Sequence, residues 1–423
     1  MAEAPAWATY TTRQRWTFLT VLFLVSTSNY FDRHVVSVVL EPIKREFHVS
    51  DTMLGLFSGF CFAIFYTVCG IPLARWADRG DRPRIIALAL LLWSLMTMLC
   101  GIAQTFAQLA FARIGVGVGE AGAIPPAQSL IVDYFPPDRR ATALSIFTAA
   151  GTAGSLLAFG CGGVIAAHYG WRSAFLLAGA PGLLLAAVVP FTLAEPRREQ
   201  RSLYSGLESE GWRQSLEFLW RKRSFRYAAA GCVCTFLMQY GGLAFVPTYL
   251  VRTLHIPLSQ VGVSYGAIVS MASLIGTIGG GWLSDRLGRD DIRWFAWIPA
   301  IACTVAGVLY AWALSLDTLG PFLTFAFVAY LLLTGGTPPA FAAIHAVCGS
   351  RRRATAIALV LFLATLLGAG IGPLAVGQLS DAFSAAYGVM SLRYALMLMM
   401  VFLVIGGAFF YGFGRLMPVD LEA

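Results

Sequence analysis

The chain has 423 residues, 58% of them hydrophobic and only 12% charged, and its mean hydropathy is +0.70. That composition is too apolar for a soluble globular domain and too poor in charge for a disordered chain. A net charge of +8 would suit a nucleic-acid binder, but the basic residues are scattered through short loops between apolar runs, which excludes that reading.

Apolar runs of roughly 20 residues recur along the chain, each able to cross a hydrocarbon layer about 30 Å thick as a helix. Twelve are predicted: α1 (16–40), α2 (52–76), α3 (84–104), α4 (106–134), α5 (139–167), α6 (172–194), α7 (226–252), α8 (258–283), α9 (292–315), α10 (318–347), α11 (351–378) and α12 (391–416). The expected fold class is an all-α membrane protein of twelve transmembrane helices. α1 is expected to be retained, because it carries Asp32 and Arg33 and leads directly into α2, unlike a short signal core with a cleavage site.

An ionised side chain at membrane depth is costly unless it serves a pathway or finds a partner, which makes Asp32-Arg33 in α1 the first functional clue. A rise of ~1.5 Å per residue puts this pair roughly 12 Å from the far end of α1, and Arg113 of α4 roughly 10 Å from the same side. Glu120, seven residues beyond Arg113, returns to nearly the same helix face ~10 Å deeper. Asp32 is expected to pair with Arg113 or Arg33, leaving one guanidinium for an anionic substrate group, with Glu120 as the titrating carboxylate. The alternative is an ion-pair network that only packs α1 on α4. His34 points about 100° from its neighbour and is expected to pack, as is His345.

Residues 195–225 hold a dense set of charges, including Arg197, Arg198, Glu199, Arg221, Lys222 and Arg223, and read as a linker between two halves, 1–194 and 226–423. The halves are related. Residues 47–80 match 254–287 at a shift of 207, superposing His48 on His255, Gly55 on Gly262 and Asp78-Arg79 on Asp285-Arg286. At a shift of 213, Pro125-Pro126-Ala127 matches Pro338-Pro339-Ala340 and Arg140-Ala141-Thr142-Ala143 matches Arg353-Ala354-Thr355-Ala356. Six helices, a linker and six related helices predict parallel repeats that rock about a site near the bilayer midplane.

The four intramembrane charges do not recur: the counterparts of Asp32, Arg33, Arg113 and Glu120 are Gln239, Tyr240, Ala326 and Leu333. A device needed only to fold six helices should survive in its twin, so the asymmetry favours a functional role. The uncharged half is expected to offer an acyl tail or another apolar body a lining of Phe236, Gln239, Tyr240, Phe245, Tyr249 and Phe341, with Asn29 contributed from α1. Packing or interfacial use of these aromatics is the alternative.

Of the 30 lysines and arginines, 23 fall on the side that also holds the termini, 5 on the other and 2 within the membrane, which predicts both termini in the cytoplasm. Two lysines against 28 arginines, and a single asparagine outside any glycosylation sequon, fit a bacterial inner membrane. All eight cysteines lie in or beside apolar helices, so neither a disulfide framework nor a metal site is expected.

The loops joining α2 to α3 and α8 to α9 read ARWADRGDRPR (74–84) and GWLSDRLGR (281–289). They resemble the signature loop of the major facilitator superfamily, with Ala74 and Asp81 standing where glycine is usual. NYFDR (29–33) and RIGVGVGEAGAIPP (113–126) resemble the Spinster sphingolipid and lysolipid transporters, including bacterial members. Organic anion:cation symporters of the superfamily share similar stretches. The resemblance implies that Asp78 faces the start of α11 near Arg351 to Arg353 and that Arg79 meets Asp133, holding the cytoplasmic side closed. In the second copy it implies that Asp285 caps α5, beside Arg286, with Ala346 replacing Asp133. The α4 pattern of proton-linked members is matched at Arg113, Gly117 and Gly119 but has Val116 for the usual glutamine, and Gly372-Pro373 in α11 resembles an antiporter motif.

The functional expectation is alternating-access transport, by a monomer, of an amphipathic, anionic lipid or lipid-like solute, with protons as the candidate coupling ion. A proton-coupled carboxylate symporter is the alternative. An integral-membrane lipid enzyme or a receptor is more remote, since the chain has no metal, nucleophile-elbow or phosphate-loop motif; no catalytic residue, cofactor or nucleic-acid partner is expected.

Overall fold

The computed structural model describes residues 6–196 and 212–421, apart from the side chains at 6, 78, 212, 213, 350, 351 and 354. Helix dominates, and no strand occurs among the described residues. α1 (Thr12–Phe47), α3 (Arg82–Ile102), α5 (Pro137–Tyr169), α6 (Trp171–Thr192), α7 (Arg223–Arg252), α8 (Leu258–Leu287) and α9 (Trp294–Leu314) are continuous. Most overrun their predicted ends. Hydropathy marks only the apolar stretch, while polar ends such as Lys44, Arg45 and Glu46 continue the hydrogen-bonded ladder beyond it.

The other five are interrupted, each at an identifiable place. α2 contains Asp51–Gly55, a π-segment Leu56–Phe60 and Cys61–Arg79; α11 contains Gly349–Leu363, a π-segment Ala364–Ile371 and Gly372–Tyr387. α4 divides into Phe106–Glu120 and Ile124–Tyr134, and α10 into Leu319–Gly335 and Thr337–Val347. These last breaks precede the repeated Pro-Pro pairs, whose nitrogens cannot donate to the helix ladder. α12 divides into Ser391–Met399 and Val401–Asp420.

Nine helical segments among the described residues are long and apolar enough to span a membrane, one of them running through α11 and α12. α1 and α4, which carry the intramembrane charges, are not among the nine. Residues 195–225, predicted only as a linker, contain a further helix, Trp212–Arg221. It is tied to the second half by Lys222, whose Nζ donates to the carbonyls of Val347 and Asp420, and by Phe218, which lies 3.7 Å beneath the Arg352 guanidinium.

The chain forms two compact units. One comprises 1–47, 61–208 and 258–263; the other comprises 48–60, 209–257 and 264–423. Each uses an arginine at the start of its last helix as a clamp. Arg172 donates to Glu46 at 2.7 Å and to the Ala103 carbonyl beyond α3 at 3.0 Å. Arg393 donates to Asp317 at 2.5 Å, while Tyr249 donates to the Leu314 carbonyl at the end of α9. The duplication also shows in the backbone: His48 (φ 52°) and His255 (φ 56°), 207 residues apart, are the two non-glycine residues with positive φ among those described.

Candidate functional site

The Pro125-Pro126 pair sets the first feature of the site. Because α4 breaks there, Glu120 stands at the C-terminal end of a helical segment, fully buried, where free carbonyls disfavour another negative charge. Arg33 of α1 answers it, donating from Nη2 at 2.7 Å and Nε at 3.1 Å to Glu120 Oε2. The arginine side chain keeps 14% of its surface exposed, whereas the carboxylate has none.

Asp32 is also fully buried, within electrostatic reach of Glu120 and Arg113 but in no ion pair among the described residues. Thr97 Oγ1 donates to its Oδ2 at 3.3 Å, Oδ1 has no partner, and the Trp93 indole stands beside it. Arg113, 2% exposed, reaches toward α1, where its Nη1 and Nη2 lie 3.5 Å from the carbonyls of Asp32 and Arg33. These contacts are long, its Nε has no partner, and it forms no ion pair among the described residues.

Asp32 was expected to pair with Arg113 or Arg33; the direct ion pair is Arg33 with Glu120, and Arg113 is joined to Asp32 and Glu120 by longer-range charge rather than contact. The reason is direction and reach. Successive α1 side chains diverge by about 100°, so Asp32 faces Thr97 on α3 while the longer Arg33 extends to the deeper Glu120.

An aromatic wall, absent from the sequence reading, surrounds both cations. The Phe62 centroid lies 4.9 Å from Arg33 Cζ and 4.7 Å from Arg113 Cζ, so one ring serves two guanidiniums. Tyr66 stacks on Phe62 at 5.4 Å and lies 4.9 Å from Arg33, with Tyr30 at 5.5 Å. Gly117 makes room for this wall: a Cβ there would stand 2.6 Å from the Phe62 carbonyl oxygen. A legible signal existed in the spacing of Phe62 and Tyr66 on one helix face, but it resembles ordinary packing. His34 stacks between Tyr30 and Phe159, each 6.1 Å away.

Unsatisfied polar atoms concentrate here. Asn29 Nδ2 and Oδ1, Asp32 Oδ1, Arg113 Nε and Glu120 Oε1 are all buried without hydrogen-bond partners. Since buried polar groups are nearly always paired, such a cluster suits a site that exchanges partners. Asn29, expected as cavity lining, is fully buried within this centre and faces Glu120.

The second half holds a different chemistry at the repeated positions. Gln239 faces the Tyr330 hydroxyl, and the hydroxyls of Tyr265 and Tyr310 lie 3.4 Å apart. Nearby chain segments enclose a small apolar pocket of about 10 Å³, room for little more than one water, whose walls include Cys232, Phe236, Pro299, Cys303, Ala340 and Phe341. Phe236 and Phe341 thus lie where a lining was expected, and Tyr240 packs on Phe236 at 6.0 Å. Phe245 and Tyr249 do not: both are fully buried in a stretch of α7 that is enclosed all round from Gly241 to Leu250, which makes them core residues.

At the arginine-rich end, the sequence pointed to Arg79 as the partner of Asp133. The structure gives a central role to Arg82, which was not singled out. Only 1% exposed, it donates to Asp133 Oδ2 at 2.6 Å, to Ser129 Oγ at 2.9 Å and to Glu195 Oε1 at 2.5 Å. Asp81 caps α3 and so places Arg82 in the first turn, facing inward, whereas Arg79 ends α2 on an exposed surface. The side chains of Asp78 and Arg351 lie outside the described residues, and Asp285 and Arg286 are exposed.

The model of the Major Facilitator Superfamily matches residues 22–362. The chain belongs to this superfamily. As a member, it is 36% identical to an MFS-type efflux pump of Mycolicibacterium smegmatis over 94% of this chain and 92% of the relative. A crystal structure of a bacterial homolog to the human lysosomal transporter Spinster, in an inward-facing and unoccupied conformation, is similar with a TM-score of 0.89. The two are 30% identical over 98% of this chain and all of that one. Lower similarity extends to the sphingosine-1-phosphate transporter SPNS2 of Danio rerio, 26% identical over 92% of this chain and 82% of the relative. It extends also to a probable galactarate/D-glucarate transporter of Bacillus subtilis, 27% identical over 65% and 66%. This superfamily chain is thus a Spinster-like, multi-pass membrane transporter and not an enzyme.

Proposed function

We propose that this transporter carries an amphipathic solute with an anionic head, a lipid or lipid-like molecule, by alternating access with proton coupling. The observation that carries this reading is the division of labour between two buried arginines: Arg33 is committed to Glu120, while no carboxylate touches Arg113 among the described residues and Asp32 and Glu120 act on it only at longer range. A cation resting on an aromatic ring with no carboxylate in direct contact is suited to receive a phosphate or carboxylate. When Glu120 takes a proton, Arg33 loses its partner and becomes a second cation for the same anion, so proton and substrate are linked through one guanidinium.

The apolar side chains that meet around Phe236 and Phe341 are the kind of surface that hydrocarbon prefers, and the small pocket between them would have to widen to admit a chain. SPNS2 carries a sphingoid phosphate by name, which supports this reading, whereas the sugar-acid relative supports a small carboxylate as the second reading. The excess of basic residues on one side supports cytoplasmic termini in a bacterial inner membrane. The repeat supports functional halves at 1–194 and 226–423 joined by residues 195–225.

The test is flux into proteoliposomes of lysophospholipids, sphingoid phosphates and small carboxylates, with and without a pH gradient. Lipid flux in the wild type, with its pH dependence abolished in Glu120→Gln, is the expected result. Proton-driven uptake of a small carboxylate without lipid flux would replace the lipid reading, and an unchanged pH dependence in Glu120→Gln would remove that residue from the coupling.

A further inference from the structure

In the second unit α9 and α12 pack antiparallel, and at the end where α9 begins and α12 finishes the first charge on each is an arginine. Arg293 precedes the uncharged run 294–314, and Arg415 follows the uncharged run 394–414. Each arginine stands four residues from an aromatic ring, a spacing that stacks side chains on one helix face. Arg293 Cζ lies 5.0 Å from the Trp297 centroid, and Arg415 Cζ 5.1 Å from that of Tyr411. The two rings stack on each other across the seam between the helices, 6.4 Å apart and 23° from parallel. Gly414 permits this approach, since a Cβ there would stand 2.6 Å from Trp297 Nε1. Guanidinium, indole, phenol and guanidinium thus form one ladder over the seam.

The two cations keep different company. Arg293 donates from Nε to both oxygens of Asp291, at 3.0 and 2.8 Å, and is largely neutralised. Arg415 is exposed and forms no ion pair among the described residues. Deeper along the same seam the outward faces are apolar: Ile301, Val305 and Val308 on α9, and Val401, Val404 and Ile405 on α12, are each between 40% and 61% exposed. From Trp297 to Val308, and from Tyr411 back to Val401, each helix rises ~15 Å, about half the thickness of a hydrocarbon layer. The exposed apolar strip therefore has the length of one leaflet's acyl chains, and the ladder sits where their headgroups lie.

The first half has no such ladder at the matching seam. With Arg172 placed on Arg393, a shift of 221, Tyr411 and Arg415 fall on Pro190 and Ala194. Arg84, at the start of α3, pairs with Asp81. Aromatic residues at the ends of membrane helices are general, but a ring stack bracketed by two guanidiniums, one without a carboxylate, is particular to this place.

We propose that the seam between α9 and α12 binds an anionic glycerophospholipid of the phosphatidylglycerol kind, with Arg415 holding its phosphodiester and the strip from Ile301 to Val404 carrying its acyl chains. A zwitterionic head would bring its own ammonium against the two guanidiniums, whereas a head with a single negative charge complements them. This lipid is a resident of the bilayer and not the transported solute: it lies on the outward face of the second half, apart from the Arg113 centre, and splints α9 to α12.

Native mass spectrometry of the purified full chain, released into mild detergent from nanodiscs of phosphatidylcholine and phosphatidylglycerol in equal parts, tests the site. The wild type should retain phosphatidylglycerol in preference to phosphatidylcholine. Arg415→Gln should lower that retention about fivefold, the attraction of one basic residue near a membrane surface. Arg84→Gln at the matching seam, and Arg113→Met in the first half, should leave it unchanged. Equal retention of the two lipids by the wild type, or an equal loss in Arg84→Gln or Arg113→Met, would overturn the proposal. Photo-cross-linking from benzoylphenylalanine in place of Val404, in the same nanodiscs, locates the ligand without any charge variant. Adducts with phosphatidylglycerol in excess of phosphatidylcholine support the site; equal adducts with both lipids, or adducts with a second copy of the chain, would overturn it.

Discussion

The centre of the first half and its repeat counterpart in the second were built from the same ancestral six helices and now differ in the currency of their polarity. Asp32, Arg33, Arg113 and Glu120 stand where Gln239, Tyr240, Ala326 and Leu333 stand in the twin. Among the described residues the first centre shows the Arg33–Glu120 ion pair and five buried polar atoms on Asn29, Asp32, Arg113 and Glu120 without partners; the second set is neutral, with Gln239 facing the Tyr330 hydroxyl and Leu333 lining a small apolar pocket. Desolvated charge is expensive, and a duplicated fold that stands without it in one half shows that the helices do not require it. On the function proposed above, the cost is borne where a charged solute or a proton is to be handled.

The sharpest way to break this comparison is to separate stability from transport at the two arginines. Arg33→Ala leaves Glu120 buried and unpaired and should destabilise the protein by about 3–5 kcal/mol as well as abolish flux. Arg113→Met should also abolish flux but leave the thermal unfolding midpoint unchanged or raised, because it removes a buried cation whose desolvation no direct ion pair offsets. Equal losses of stability in the two variants would reduce the charged centre to a packing device. In the second half, Ala340→Phe fills the small apolar pocket and should suppress flux of long-chain substrates while sparing small anions; strain from overpacking should stay near about 1–3 kcal/mol. Loss of both fluxes together would dissociate the pocket from chain recognition. The smallest effect belongs to the aromatic wall: Phe62→Leu keeps the volume and removes the ring face shared by the two guanidiniums. A stability loss of about 0.5–2 kcal/mol is expected, readable as a lower unfolding midpoint.

A second comparison, between the close contact of Gly55 with the Pro373 carbonyl and that of Gly262 with the Phe159 carbonyl, teaches the same lesson on a smaller scale. Close backbone approach is encoded by glycine and persists in both repeats, whereas the charged cluster of Asp51, Arg252, Ser380 and Asp381 occurs at one. Shape is the conserved scaffold of the duplication, and charge is what distinguishes its two copies.

Twelve membrane helices, their duplication and the charged centre were legible in the sequence because each has a local signal: apolar run length, a constant shift between matching residues, and ionised side chains inside apolar runs. The Pro-Pro breaks in α4 and α10 were visible as well, since proline acts through its own missing donor. Partner choice was not. Arg33 pairs with Glu120 rather than Asp32, and Arg82 holds both Asp133 and Glu195; each outcome depends on which way a helix face turns and how far a guanidinium reaches. The same limit hid the burial of Phe245 and Tyr249, the Phe62 ring between two arginines and the ties on Asp51, which join residues as much as 330 positions apart. Sequence by itself determined which residues had to leave water and which charges had to find company there. Only the tertiary structure decided the company, because pairing energy depends on distances of a few ångströms between helices that the linear order of residues does not specify.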